Sequence, residues 1–151
     1  AKLGELSGGW TGITCDADGY ITRIMLDNKF TAVGTLSSII GHITSLTGIS
    51  LESNHIACDI PLEITALTGL KLLNLRGNNM NGLIPYQFQT LTALTSLMLS
   101  GNSFTDCLPS TISALTGLKS LSLANNSLSC TIPKQVGSLT ALTLLELLGN
   151  D

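Results

Sequence analysis

Apolar residues recur along this chain in one fixed phrase. Leu67, Leu70, Leu73 and Leu75 are followed by Asn78 and then by Ile84-Pro85. Leu91, Leu94, Leu97, Leu99, Asn102 and Leu108-Pro109 repeat it, and so do Leu115, Leu118, Leu121, Leu123, Asn126 and Ile132-Pro133. The interval from Asn78 to Asn102 equals that from Asn102 to Asn126. Upstream, Ile43, Leu46, Ile49, Leu51, Asn54 and Ile60-Pro61 keep the pattern; downstream, Leu139, Leu142, Leu145, Leu147 and Asn150 begin it again. Around Leu73-x-Leu75 apolar and polar residues alternate, and side chains two apart lie on one face of an extended chain, so the phrase predicts a short strand. A single repeat cannot bury its own apolar face, whereas stacked copies can, which joins the strands into a parallel sheet at about 4.8 Å per coil.

The first coil uses Ile21, Ile24 and Leu26, and the position equivalent to Asn54 falls at Lys29, which implies one extra residue within 30–33. On the far side of the coil an apolar column, Ile39 or Ile40, Ile64, Phe88, Ile112 and Val136, predicts short 3-10 turns or strands with Phe88 in the core. The asparagines Asn54, Asn78, Asn102, Asn126 and Asn150 stand where the chain turns out of the strand. Backbone groups there have no ladder partner, and an amide can both donate to and accept from them. Removing one is expected to leave them unpaired, at roughly 1–3 kcal/mol per group.

The pattern L-x-x-L-x-x-L-x-L-x-x-N at a period in the twenties is the signature of a leucine-rich repeat solenoid. Asn81-Gly82-Leu83-Ile84-Pro85 carries the plant-type G-x-I-P element. Gly8-Gly9-Trp10-Thr11-Gly12-Ile13-Thr14-Cys15-Asp16, followed by Gly19-Tyr20-Ile21-Thr22, resembles the end of the N-terminal cap of plant-type extracellular members. Over residues 8–150 the chain is similar to the ectodomains of plant receptor kinases and to polygalacturonase-inhibiting proteins, with related repeats on protist surfaces. The expected fold is an α/β solenoid, a right-handed superhelix of about six coils, each of about 24 residues. Its parallel sheet lies on the concave face, with 3-10 or irregular segments opposite. Residues 1–20 read as a cap remnant in which Trp10 covers the first coil, and residues 21–151 as repeats, the last truncated. The sequence departs from the family where Cys58, Asp106 and Cys130 replace the usual Gly, and where Gly8-Gly9 replaces the cysteine that usually partners Cys15.

The resemblance implies a non-enzymatic module at the cell surface or outside the cell, binding a protein or peptide through its concave face in recognition or adhesion. Inhibition of a secreted hydrolase and purely structural stacking are the alternatives. Composition narrows the choice further. A formal net charge of −3 supplies no basic face for nucleic acid. No apolar run reaches the roughly 18–20 residues of a membrane span, so no membrane insertion is expected. His42 and His55 lie in different columns without an acid or cysteine beside them in the next coil, and no phosphate loop or C-x-x-C occurs. No catalytic residue, metal or cofactor is therefore expected.

Candidate binding residues follow from the columns flanking the strand leucines. Solenoids bind through this extended surface, and its variable positions, Met25, Asp27, Glu52, Leu72, Asn74, Arg76 and Met98, form the candidate ligand patch. The later coils, rich in Ser and Ala, read as plain solvated sheet. Cys107 and Cys130, one coil and one residue apart, come within about 6 Å, inside disulfide range; small thiols substituting for Gly are the alternative. Asn125-Asn126-Ser127 is a glycosylation sequon whose acceptor, Asn125, lies beside the asparagine column. Thr44, Thr68, Thr92, Thr116 and Thr140 form a regular column that suits either ice binding or local turn chemistry. At the other end Leu145 and Leu147 face outward with no capping sequence after them, which predicts a fragment or self-association through that end.

Overall fold

In a computed structural model that describes residues 10–31 and 33–151, the repeat phrase becomes a stack of coils. Residues 1–9 of the expected cap, with its Gly8-Gly9, and Ala32 of the expected insertion lie outside the described residues. Among the described residues the main sheet has seven strands in the order β1 (Ile13–Cys15), β2 (Ile21–Met25), β3 (Gly48–Ser50), β4 (Leu72–Asn74), β5 (Ser96–Met98), β7 (Ser120–Ser122) and β9 (Leu144–Glu146). From β2 onward every pairing is parallel, with Ile49, Leu73, Leu97, Leu121 and Leu145 in one row. Coil 1 contains β2, and coils 2 to 6 contain β3, β4, β5, β7 and β9. Ile24 pairs with Ile49, and Ile49 with Leu73, so the first step along the chain is longer than the second by a single position. The extra residue of coil 1 thus falls after its strand, as the sequence indicates.

Coils 1 to 5 return through a short 3-10 helix each: η1 (Ser38–His42), η2 (Leu62–Ala66), η3 (Tyr86–Thr90), η4 (Ser110–Ala114) and η5 (Lys134–Ser138). Pro61, Pro85, Pro109 and Pro133 sit just before η2 to η5 with φ between −65° and −61°. The proline ring fixes that angle, and the missing N–H is no loss at a helix start. The column Ile64, Phe88 and Ile112 points inward from these helices and is at most 2% exposed. It meets Leu73, Leu97 and Leu121 of the sheet, which are wholly buried, so the core is a single apolar layer running the length of the stack. A small second sheet, β6 (Thr105–Asp106) with β8 (Ser127–Leu128), pairs coils 4 and 5 beyond the asparagine column.

Two features lie beyond what the pattern indicates. Residues Asn28, Ser53, Gly77, Gly101, Asn125 and Gly149, each directly before the ladder position, all have φ between 52° and 76°. The chain must reverse there in left-handed geometry, which glycine and, at greater cost, Asn or Ser allow. Trp10, expected to cover the first coil, is 61% exposed. The outer edge of β2 is covered instead by β1, which pairs antiparallel with it, and Met25 N–H donates to the Gly12 carbonyl at 2.6 Å. An open sheet edge needs backbone partners, and a hairpin strand supplies them where an indole ring has none to give.

Candidate recognition surface

The asparagines lie in single file and stitch each coil to the one before. Asn78 Nδ2 donates to the carbonyls of Leu51 at 2.9 Å and Leu75 at 3.0 Å, and its Oδ1 accepts from Ile56 N–H at 3.1 Å. Asn102 repeats the arrangement with Leu75, Leu99 and Met80, and Asn126 with Leu99, Leu123 and Phe104. Asn150 does so with Leu123, Leu147 and Leu128. Asn54 bonds to the Leu26 and Leu51 carbonyls and accepts from both Lys29 and Phe30 N–H. The column is a scaffold that holds successive strands in register.

On that scaffold the side chains flanking the strand leucines form the inner surface. Ser50 Oγ donates to Asp27 Oδ1 at 2.5 Å, and Glu52 N–H donates to the same oxygen at 2.8 Å. Asn74 Nδ2 donates to Ser50 Oγ at 3.0 Å and to Glu52 Oε2 at 2.9 Å, and Arg76 N–H donates to Asn74 Oδ1 at 3.2 Å. Four of the seven candidate residues, Asp27, Glu52, Asn74 and Arg76, thus join one hydrogen-bonded network across coils 1 to 3. Arg76 joins it through its backbone N–H alone, one oxygen of each carboxylate remains without a protein partner among the described residues, and the Arg76 side chain is exposed. Met25 and Met98 flank it, opposite Ser50 and Asn74 respectively, and Leu72 lies half-buried between Gly48 and Ser96.

Four further residues of this face, Arg23, Ser50, Ser100 and Ser122, were not among the candidates. Ser50 is 1% exposed and is the hinge of the network. Arg23 lies across Gly48, where an added Cβ would come within 3.3 Å of Arg23 Nε, so the glycine makes room for it. In coils 4 to 6, expected to be plain solvated sheet, Ser100 and Ser122 are at most 4% exposed. Their hydroxyl oxygens are 2.5 Å apart, and Ser122 Oγ donates to Glu146 Oε2. The correction has a simple cause: small hydroxyls on adjacent strands pack closely and satisfy one another rather than water. These pairs run diagonally across the columns, a relation that emerges only with the strands in register. Glu52–Asn74 and Ser100–Ser122 are both 22 apart, and Asp27–Ser50 is 23 apart because coil 1 carries its extra residue.

The other candidates lie elsewhere on the coils. Cys107 and Cys130 are joined by a disulfide with Cα atoms 5.0 Å apart; Cys15 and Cys58 are free, and Cys58 Sγ accepts from Leu36 N–H at 3.3 Å. Asn125 is exposed with φ 53°, at the rim of the inner face. Thr44, Thr68, Thr92, Thr116 and Thr140 are all exposed, while the neighbouring Thr47, Thr95 and Thr143 donate to backbone carbonyls of the preceding coil. His42 and His55 are exposed. Leu144, Leu145 and Leu148 are 38%, 41% and 86% exposed, Leu145 in contrast to the buried Leu121 one coil earlier, whereas Leu147, expected to face outward, is half-buried against the core. No helix among the described residues is long and apolar enough to cross a membrane.

A one-layer stack with an asparagine spine and a polar inner sheet defines a leucine-rich repeat solenoid. Residues 44–104 and 92–151 match the family described as "Leucine rich repeat", and the chain belongs to that family, with plant-type members as its relatives. Over 78 residues, which are 50% of this chain and 8% of the relative, it is 38% identical to phytosulfokine receptor 1 of Arabidopsis thaliana. The chain spans between 7% and 17% of the length of the curated relatives it matches. Among solved structures, the ectodomain of the receptor kinase SOBIR1 from Arabidopsis thaliana superposes with a TM-score of 0.87 at 31% identity, over 94% of this chain and 81% of that one. The plant peptide hormone receptor RGFR1 in complex with RGF2 gives 0.86 at 36% identity, over 94% of this chain and 22% of that one.

Proposed function

We propose that this chain is a non-enzymatic recognition module, at the cell surface or outside the cell, that binds a protein or peptide on its concave face. The observation that carries the reading is the network Asp27–Ser50–Glu52–Asn74 with Arg76 beside it. Its side chains are already held in place, so a ligand meets polar groups whose ordering entropy has been spent in folding, and preorganised surfaces bind more tightly for that reason. Met25, Leu72 and Met98 add apolar area around the polar centre, the combination that specific interfaces use. RGFR1, a peptide hormone receptor solved with RGF2, has the same fold and supports the peptide class of ligand.

The test is a pull-down from the native extracellular milieu with the wild-type chain and a Glu52→Gln/Arg76→Ala double variant. A partner retained by the first and lost by the second is the expected result. Equal capture by both, with the fold of the variant intact by circular dichroism, overturns the concave-face reading.

A further inference from the structure

In a repeat protein each column is its own control, and one region of the outer side breaks the rule of its columns. The residues that open the 3-10 helices are Ser38, Leu62, Tyr86, Ser110 and Lys134. The column three positions earlier reads Thr35, Asp59, Leu83, Cys107 and Thr131. Both columns are polar or small except in coils 2 and 3, where Leu62, Leu83 and Tyr86 stand together, 51%, 57% and 59% exposed. They line a depression of about 550 Å³ whose floor includes Ile84 and Pro85, and the carboxylates of Asp59 and Asp106 stand at its edge. No lysine or arginine among the described residues lines it. The disulfide from Cys107 to Cys130 fixes the border on the coil 4 side.

We propose that this depression is a second docking surface, separate from the concave face, for an extended basic segment of another protein that carries an aromatic or aliphatic side chain between lysines or arginines. Clustered exposed apolar groups rimmed by polar ones mark interaction sites on soluble proteins. Tyrosine is among the residues that most often carry binding energy. The acidic edge selects the occupant's charge: opposite charge steers association, and like charge repels. A second copy of this chain, with its net charge of −3, brings the wrong sign. This surface stands independently of the concave-face reading, since it shares none of the residues used there.

The probe is a fluorescein-labelled peptide of about ten residues with Leu-Trp between two pairs of lysines, compared by fluorescence anisotropy with the same peptide carrying glutamates. Saturable binding of the lysine peptide alone, weakened at high salt, is expected. Leu83→Thr/Tyr86→Ser, which installs the residue types found elsewhere in these columns, lowers affinity by about tenfold or more. Asp59→Asn/Asp106→Asn lowers it severalfold while keeping side-chain size; asparagine tolerates the left-handed φ of 65° at position 106. Glu52→Gln/Arg76→Ala leaves it unchanged. The proposal is overturned by absence of saturable binding, by equal binding of the glutamate peptide, by loss of binding in the concave-face variant alone, or by sedimentation showing self-association that Leu83→Thr/Tyr86→Ser abolishes. Melting curves on all variants separate loss of contact from loss of fold.

Discussion

Replacement of Asn102 by Ala isolates what the asparagine spine contributes. Four bonds vanish, the longest of them to the Ser100 carbonyl at 3.4 Å, but the groups left behind differ. The Leu75 and Leu99 carbonyls each keep a second donor, Asn78 Nδ2 at 3.0 Å and Asn126 Nδ2 at 3.1 Å. Met80 N–H has Asn102 Oδ1, at 3.0 Å, as its hydrogen-bond acceptor, and Met80 is wholly buried, so this donor is orphaned. An unpaired buried N–H costs about 1–3 kcal/mol, and the lost bonds to Leu75 and Leu99 add about 0.5–1.5 kcal/mol each. The expected loss is about 2–6 kcal/mol, a large share of the roughly 5–15 kcal/mol that holds a domain folded. Asn102→Asp is no better, because a carboxylate keeps the acceptor for Met80 but turns oxygen instead of N–H toward two carbonyls. The control is Asn79→Ala, an exposed neighbour whose change stays within about 0.5 kcal/mol. Urea denaturation followed by circular dichroism reads both, as a shift in midpoint at constant slope. If Asn102→Ala and Asn79→Ala unfold at the same urea concentration, the spine does not stabilise the stack and the accounting of its bonds is wrong.

Cys107→Ser/Cys130→Ser removes a cross-link of sequence separation 23 and is expected to lower stability by about 3 kcal/mol through the freed loop entropy of the unfolded chain. A melting temperature that falls in the variant and in reductant-treated wild type, but not further in the treated variant, is the check. Gly101→Ala forces an L side chain into φ 67° and is expected to cost about 1–2 kcal/mol by thermal or urea melting, whereas Ser53→Gly at φ 54° is expected to raise stability. In a secreting host Asn125 is expected to carry an N-linked glycan, seen as a peptide mass shift abolished by glycosidase and by Asn125→Gln; an unmodified peptide refutes it.

Columns were legible in the sequence, and diagonals were not. The leucines of each strand and the asparagines of the spine meet the same surroundings in every coil, so selection for burial or for a backbone bond repeats the same residue at the same spacing. That is why Leu73, Leu97 and Leu121 align as their spacing demands and Phe88 is buried in its column. The network through Ser50 and the serine pair of coils 4 and 5 depend instead on which side chain of one column reaches which side chain of the next. That relation appears only once strand register is fixed. The left-handed column was half visible as Gly77 and Gly101 but masked by Asn28, Ser53 and Asn125, which adopt the same backbone angle without glycine. Trp10 misled because the covering of coil 1 is a matter of backbone pairing, about which side-chain size says nothing.

The two proposed surfaces occupy the same coils. Glu52, Asn74 and Arg76 face inward from coils 2 and 3, and Leu62, Leu83 and Tyr86 face outward from them, with Leu73, Ile64 and Phe88 packed between. A layer of side chains at most 2% exposed is as dense as a crystal and resists small rearrangements, so occupancy of one side gives the other little structural signal. Each coil, moreover, touches only its neighbours, which confines any shift to adjacent repeats. Binding on the two sides is therefore expected to be independent and simultaneous, with affinity changes from Glu52→Gln/Arg76→Ala and Leu83→Thr/Tyr86→Ser adding within about 0.5 kcal/mol in a double-mutant cycle. Measured coupling well above that, for either partner, means that the core between the faces has two arrangements and that the stack is a switch instead of a passive bridge.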